Sequence, residues 1–483
     1  MKLLSDGFSG VKWATLSKVY TQVIQIVTLF ILAKILNPED FGLIGIALLV
    51  IGFLNVFRDL GISQALVQKQ IYSNTLLNTS FSLILLISTV FFVLVFFLAP
   101  VFSAIVAKNS TESIKTIPIL KLLSMGFLLT GLGIVPKSQL ERNLEFNKLT
   151  ICEITASTIG AAVGIYFAFS GAGVYSLVFQ SLINTSVLSL MMWGYSKYRP
   201  KLIANIQDIR EIWNYSINLT GFNIVNYFIR NADYLIISKM LGAEALGFYT
   251  LAYKVMLFPV ANITNVISRV VFPIYSKLQD DHSQFRQIYM HTSFGISLIT
   301  FPLMVGVVVL HSQFIRIFFD PVWEPVSLLL LILAPIGLIQ SITVTTGSIY
   351  QAIGRTDLMF KWGIIIGIVT VTGFVIGTNW GINGVAISYL VTNSILLYPS
   401  IKIPFNLISL SFIKFMKNLK FVFLSSIVMH VILFVFQSLN YFLIQNQLII
   451  FLSTAIIGLL GFILSIYILE KEKIKTLTFN LHK

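Results

Sequence analysis

Fourteen apolar runs, each close to the length that crosses a bilayer, restrict this chain's fold more than any other feature. A helix needs about 20 mostly apolar residues to span the hydrocarbon core. Runs near that length fall at 13–33, 41–60, 78–106, 117–136, 150–169, 172–193, 213–237, 246–271, 291–311, 326–350, 362–379, 383–403, 420–438 and 447–469. The breaks carry turn chemistry, as in Asn37-Pro38-Glu39-Asp40, Ser170-Gly171-Ala172-Gly173, Asp320-Pro321 and Trp380-Gly381. The first run is too long, and too polar in its first half, for a cleaved signal peptide, so it reads as the first membrane helix. The chain is 56% hydrophobic and 11% charged. Soluble domains carry about 25% charged residues, and a soluble interior cannot hide this much apolar surface. No loop is long enough for a soluble domain.

The net charge of +14 would suggest a nucleic-acid partner in a soluble protein. Here the alternation of loops explains it instead. With the N-terminus inside, the cytoplasmic segments hold 23 Lys and Arg residues and the opposite side holds 5: Lys34, Lys108, Lys115, Lys239 and Arg316. Positive residues gather on the cytoplasmic side of membrane proteins. The skew supports the helix count and places both termini in the cytoplasm, and it leaves no role for nucleic acid. The one cysteine, Cys152, excludes an internal disulfide, and the five histidines show no metal-ligand spacing. Gly-rich phosphate loops, GxSxG, HExxH and DxD pairs are absent from the sequence, so nothing points to an enzyme.

The chain repeats itself. Lys34, Leu36, Glu39 and Gly42 after the first run match Lys239, Leu241, Glu244 and Gly247 after the seventh at one offset of 205. Gly171-Ala-Gly173-Val174 resembles Gly381-Ile-Asn-Gly384-Val385, and Arg142 with Lys148 matches Arg355 with Lys361. The expected fold is therefore all-α, with two parallel six-helix lobes at 1–200 and 201–405, and two further helices with a basic tail at 406–483. Parallel repeats are related by an axis along the membrane normal, and rocking two such lobes gives alternating access to a central cavity.

Polar residues inside the runs mark the candidate site. Charges at the bilayer centre cost about 2.5–3.5 kcal/mol each by insertion scales, so they face water or protein. The first run carries Lys18, Gln22 and Gln25 on one helical face, and the seventh carries Asn223, Asn226, Arg230 and Asp233. The eighth adds Lys254, Asn262, Asn265 and Arg269, and the second ends in Arg58. Lys18, Arg58, Arg230, Lys254 and Arg269 form the candidate cationic set, with the amides and Asp233 in support. Such a set suits an anionic passenger, since Arg binds phosphate bidentately and Lys supplies a point charge. Plainer readings stand beside this one. Arg230 and Asp233 have the spacing of a helix-packing pair. Arg58 sits at a helix end that reads as a solvated cytoplasmic terminus, Arg269 and Lys254 lie where side chains snorkel to the interface, and the asparagines are common interhelical glue. The polar second half of the tenth run, from Gln340 to Gln351 below Pro335, either lines a pathway or packs by its hydroxyls.

Three stretches carry a family likeness. Ala33 to Gln70, Ala243 to Tyr249 and Gln139 to Phe146 resemble the bacterial polysaccharide and O-antigen lipid flippases. The likeness is greatest to the colanic-acid-type and teichuronic-acid-type exporters of the multidrug/oligosaccharidyl-lipid/polysaccharide exporter superfamily. The resemblance implies two six-helix bundles in a V shape plus two more helices. It implies transport of undecaprenyl-diphosphate-linked oligosaccharide repeat units across the bacterial cytoplasmic membrane, for O-antigen, capsule or exopolysaccharide. It implies a cationic lumen fed by the helices that carry the five basic residues named above. No cofactor is expected beyond H+ or Na+ coupling. The expected partners are membrane lipids, a polysaccharide polymerase and chain-length machinery. The alternative on the same fold is a multidrug or cation antiporter, against which the excess of Lys and Arg counts. A membrane polymerase or ligase would need a larger outer loop than Lys108–Thr116 or Ser312–Pro325.

Overall fold

Peptide groups find no water partners in hydrocarbon, so a spanning segment must satisfy them internally, and an apolar run of membrane length does so as a helix. The computed structural model describes residues 2–59, 74–143, 145–196, 227–228, 230–440 and 446–481, with a few positions between 198 and 205. Among these the chain is helical almost throughout and contains no strand. It divides into two compact units, Met1–Gly247 and Phe248–Lys483.

The first unit holds α1 (Lys2–Ala33), α2 (Pro38–Asp59), α3 (Asn74–Val106), α4 (Ser110–Arg142), α5 (Phe146–Phe169), α6 (Tyr175–Tyr195) and the helical residues 230–240, here α7. The second holds most of α8 (Ala243–Lys277), then α9 (His282–Phe318), α10 (Glu324–Thr343), α11 (Thr346–Ala352), α12 (Thr356–Gly377), α13 (Gly381–Leu407), α14 (Phe412–Asn440) and α15 (Gln447–Leu481). Helix α8 crosses the division, with Ala243–Gly247 on the first side.

Twelve segments of the described residues are long and apolar enough to cross a membrane. One of them, Thr356–Leu407, is 52 residues long and carries two of the expected runs. It breaks at the 3-10 turn Thr378–Trp380, where Gly381 takes a φ of +67°. The seventh run lies mostly outside the described residues. The protein is thus an all-helical, multi-pass membrane protein, as the run lengths require. One element differs: the tenth run is two helices, α10 and α11, interrupted at Val344-Thr345. At 37 residues, α9 is about 55 Å long and must tilt or project beyond a core about 30 Å thick.

The outward faces are apolar, with Phe97, Ile368, Leu460 and Ile468 each more than half exposed, which is the surface that acyl chains solvate. Small residues bring helices together, as expected where van der Waals contact rather than water drives association. Built Cβ atoms on Gly160 and Gly164 of α5 would lie 2.9 Å and 2.8 Å from the Cβ atoms of Asn184 and Gln180 on α6. After α6 the chain turns back, and the Tyr198 hydroxyl donates to Asn78 Oδ1 at 2.6 Å. Burial pushes that phenol up to about 12.

The repeated motif supplies the tightest crossing. A Cβ on Gly42 would lie 1.7 Å from the Ala243 carbonyl oxygen, and one on Gly247 would lie 1.9 Å from that of Pro38. Pro38 and Ala243, like Gly42 and Gly247, stand 205 residues apart, so the two helix starts make the same contact reciprocally. Such Cα–H to carbonyl contacts contribute about 0.5–1 kcal/mol each. Charged side chains surround them. The Ala243 amide donates to Glu112 Oε1 at 3.1 Å, Lys239 Nζ donates to the Ala104 and Ala107 carbonyls, and Lys115 pairs with Glu39 at 2.6 Å.

Replacing Gly42 by Leu should cost at least about 3 kcal/mol, since overpacking against backbone has no side chain to yield. Gly363→Ala, whose added Cβ meets nothing within 4 Å, should be neutral or stabilise by up to about 1 kcal/mol. Thermal unfolding of the two purified variants in one detergent checks the contrast.

Candidate functional site

Helix α1 shows why Lys18 is presented as it is. Three polar rungs dock α1 on α5. The buried Ser17 hydroxyl donates to Glu153 Oε2, Thr150 Oγ1 donates to the Trp13 carbonyl at 2.9 Å, and Tyr20 and Thr158 share a hydrogen bond of 3.1 Å. One residue on, a rotation of about 100° turns Lys18 away from that seam, and it is exposed. Gln25 is exposed on the same helix and Gln22 is half-buried. On α2, Arg58 is half-buried at the last turn. Asn55, one turn before it, has a buried Oδ1 without a hydrogen-bond partner among the described residues.

The approach to α7 is fixed against α2. Tyr227 donates its hydroxyl to the Leu49 carbonyl at 2.7 Å, and Phe228 packs on Phe53 with ring centres 5.1 Å apart. Arg230 follows and is exposed, whereas Asp233 is buried at 5% and accepts from the Tyr234 amide at 2.8 Å. Lys18, Arg58, Arg230 and Asp233 therefore belong to one unit by position. Asn223 and Asn226 lie outside the described residues.

In the second unit Lys254 is exposed on α8 and Asn262 is half-buried. The side chains of Asn265 and Arg269 lie outside the described set. Beside Lys254, Tyr253 stacks on Tyr249 with centres 5.6 Å apart and approaches Tyr389 of α13 at 6.4 Å. The Tyr389 hydroxyl accepts from Gln340 Nε2 at 2.8 Å. Gln340 thus reaches across to another helix's aromatic group, as does Thr345, whose Oγ1 shares a 3.0 Å hydrogen bond with the Tyr289 hydroxyl of α9. Ser341, Thr343, Thr345 and Thr346 donate to carbonyls three or four residues back, which fits the packing reading for them.

The second unit also contains a cavity of about 590 Å³ among α9, α14 and α15, lined by Leu298, Pro302, Phe314, Leu433, Phe451 and Phe462. Its polar feature is His311, whose Nδ1 lies 2.8 Å from Ser327 Oγ. An apolar slot in a membrane protein is suited to a hydrocarbon chain. Among the described residues no group of three or more His, Cys, Asp or Glu side chains is placed to hold a metal.

Three features escaped the sequence. Glu153 was absorbed into the apolar run 150–169, and Lys121, whose Nζ lies 5.2 Å from the centre of the Phe96 ring, into 117–136. A single charge barely moves a twenty-residue hydropathy average, though each was visible as an ionisable residue inside a run. The Tyr253–Tyr389–Gln340 set joins three distant helices, and no local pattern announces it.

The fold is that of a helical membrane transporter. It is shared with the lipid II flippase MurJ in its inward closed conformation, with a TM-score of 0.75 at 17% identity over 95% of this chain and 99% of that one. The sequence pattern of the polysaccharide biosynthesis protein family matches residues 31–328, and the chain belongs to that family. It is 28% identical to the lipopolysaccharide biosynthesis protein WzxC of Escherichia coli (strain K12), over 82% of this chain and 81% of the relative. It is 25% identical to the teichuronic acid biosynthesis protein TuaB of Bacillus subtilis (strain 168), over 73% of each.

In a Cys152→Ala background, single cysteines placed at Lys18, Arg230 and Lys254 should react with a water-soluble maleimide. A cysteine placed at Phe97, exposed but apolar in its surroundings, should react at least about a hundredfold more slowly, because lipid suppresses the thiolate. Equal labelling at all four positions would remove the case for hydrated basic side chains.

Proposed function

We propose that this protein carries an undecaprenyl-diphosphate-linked oligosaccharide repeat unit from the inner to the outer leaflet of the cytoplasmic membrane, for surface polysaccharide. Family membership supports the pathway. The observation that carries the chemistry is the exposure of Lys18, Arg230 and Lys254 on membrane helices. Exposed basic groups at membrane depth are tolerated where water or an anion meets them. A diphosphate is such an anion, and ammonium and guanidinium groups bind it by charge-assisted hydrogen bonds. The five basic residues, Arg58 and Arg269 included, form the cationic lumen of this proposal. The cavity beside α14 and α15 suits the other half of the cargo, a polyprenyl chain. A cargo with a charged head and a greasy tail needs both environments.

The two lobes of the proposal follow the sequence repeat, and the reciprocal Gly42 and Gly247 contacts support that reading. Alternating access, cytoplasmic termini, and a polymerase with its chain-length machinery acting downstream complete it. A cationic drug would meet repulsion from these side chains, which counts against the antiporter alternative.

Deleting the gene should leave lipid-linked repeat units in the inner leaflet and reduce surface polysaccharide. Lys18→Ala and Arg230→Ala should each lower transport about ten- to a hundredfold, the loss of one charge-assisted hydrogen bond of 1.5–3 kcal/mol. Expression and membrane insertion should stay normal. Normal surface polysaccharide in the deletion strain, with no accumulated intermediate, would refute the assignment.

A further inference from the structure

Glu153 is an ionisable residue that the cargo path above does not use. It sits in the eighth position of α5, about 10 Å along a helix that spans the membrane. It is half-buried, and its hydrogen bond comes from Ser17 of α1, which is 1% exposed. The titratable and charged groups around it are few. On α1 they are Lys18 and Tyr20, with the side chains of Lys2, Asp6 and Lys12 outside the described set. On α6 they are Tyr175 and Tyr195, one at each end. On α4 Lys137 pairs with Glu141 at 3.6 Å beside Arg142, and Glu112, Lys115 and Lys121 lie further along. On α5 itself Lys148 pairs with Glu145 at 2.8 Å, Cys152 is buried and Tyr166 lies near the far end. Among the described residues no basic nitrogen stands within ion-pair distance of the Glu153 carboxylate.

The partner is informative. A hydroxyl both donates and accepts. Ser17 donates to Glu153 when the glutamate is ionised, and accepts from it when it is a carboxylic acid. The contact between α1 and α5 therefore survives either state, and taking up a proton requires no rearrangement of the seam. A lysine or arginine in place of Ser17 would fix the charged form, and an aliphatic residue would strand it. Farther along α5 the same face carries Ser157, Gly160 and Gly164, at spacings of four, three and four. The two glycines admit Asn184 and Gln180 of α6 to within van der Waals contact of the α5 backbone. The face that begins at Glu153 is thus polar or bare for about three turns.

We propose that Glu153 and Ser17 form an intramembrane proton-binding site, linked through α1 to the cationic face that carries Lys18. Ionised Glu153 and a proton combine to the acid, and no other reactant takes part. Ser17 and Lys18 are consecutive, so the residue that senses the proton and the residue offered to an anion share one backbone segment. Neutralising Glu153 removes a negative charge close to Lys18 and strengthens the attraction of α1 for a diphosphate. Proton and anion then bind with positive coupling. The link to cargo rests on the flippase reading, whereas the proton site does not.

Two measurements on the full-length protein in lipid test this. Infrared difference spectra of the wild type should gain a carboxylic-acid carbonyl band as the pH is lowered. The band should be missing from Glu153→Gln and displaced in midpoint by Ser17→Ala, which keeps the carboxyl and covers the case in which Glu153→Gln does not fold. An identical band in the wild type and Glu153→Gln, or no response to Ser17→Ala, overturns the site. Calorimetric titration with geranylgeranyl diphosphate, in buffers of different ionisation heat, should show uptake of up to about one proton per molecule bound by the wild type and none by Glu153→Gln. Binding with equal proton uptake in both overturns the coupling. If geranylgeranyl diphosphate fails to bind the wild type at all, the flippase reading falls, and the infrared result alone decides the proton site.

Discussion

An unpaired peptide group in hydrocarbon costs several kcal/mol, and that penalty governs everything else in this molecule. It turns each apolar run into a helix before any tertiary contact forms. It also changes what holds helices together. Apolar side chains gain little by leaving lipid for another helix, so close packing, interhelical hydrogen bonds and small residues must do the joining. Gly160 and Gly164 against α6, Ser17 and Thr150 across the α1–α5 seam, and Ser465 bonded to Ser425 at 3.0 Å between α14 and α15 are the local forms of that rule.

The same penalty separates side chains that are affordable within a bilayer from those that need a reason. Serines and threonines satisfy themselves on carbonyls of their own helix, as along α10. Charged groups cannot. Asp233 is buried with the Tyr234 amide as a donor, Lys121 lies over the Phe96 ring, and Glu153 holds a serine hydroxyl. Lys18, Arg230 and Lys254 are exposed instead, and this difference in treatment is the basis for giving them to a cargo.

Much of the fold was legible because a bilayer imposes one length. The run lengths gave the all-helical, multi-pass character. The break at Val344-Thr345 was not legible, since neither residue is a proline or a glycine and the nearest, Gly347, already lies within α11. The cationic candidates were found by type and spacing, and Lys18 and Lys254 are exposed on their helices. Glu153 stood out locally only as an ionisable residue within an apolar run, and its partner, 136 residues away, could not be read from the sequence. The tyrosine and glutamine set near Lys254 escaped for the same reason: it exists only once α8, α10 and α13 are brought side by side.

The reciprocal crossing of α2 and α8 restricts variation in a particular way. Each glycine faces a carbonyl oxygen of the opposite helix and not the other glycine. Backbone cannot be mutated to make room, so a larger residue at position 42 finds no relief from any change at position 247. The two sites are therefore held separately, and covariation between them should be lacking even though they serve one junction. A search for paired substitutions would overlook the place where the chain's two related segments meet most closely.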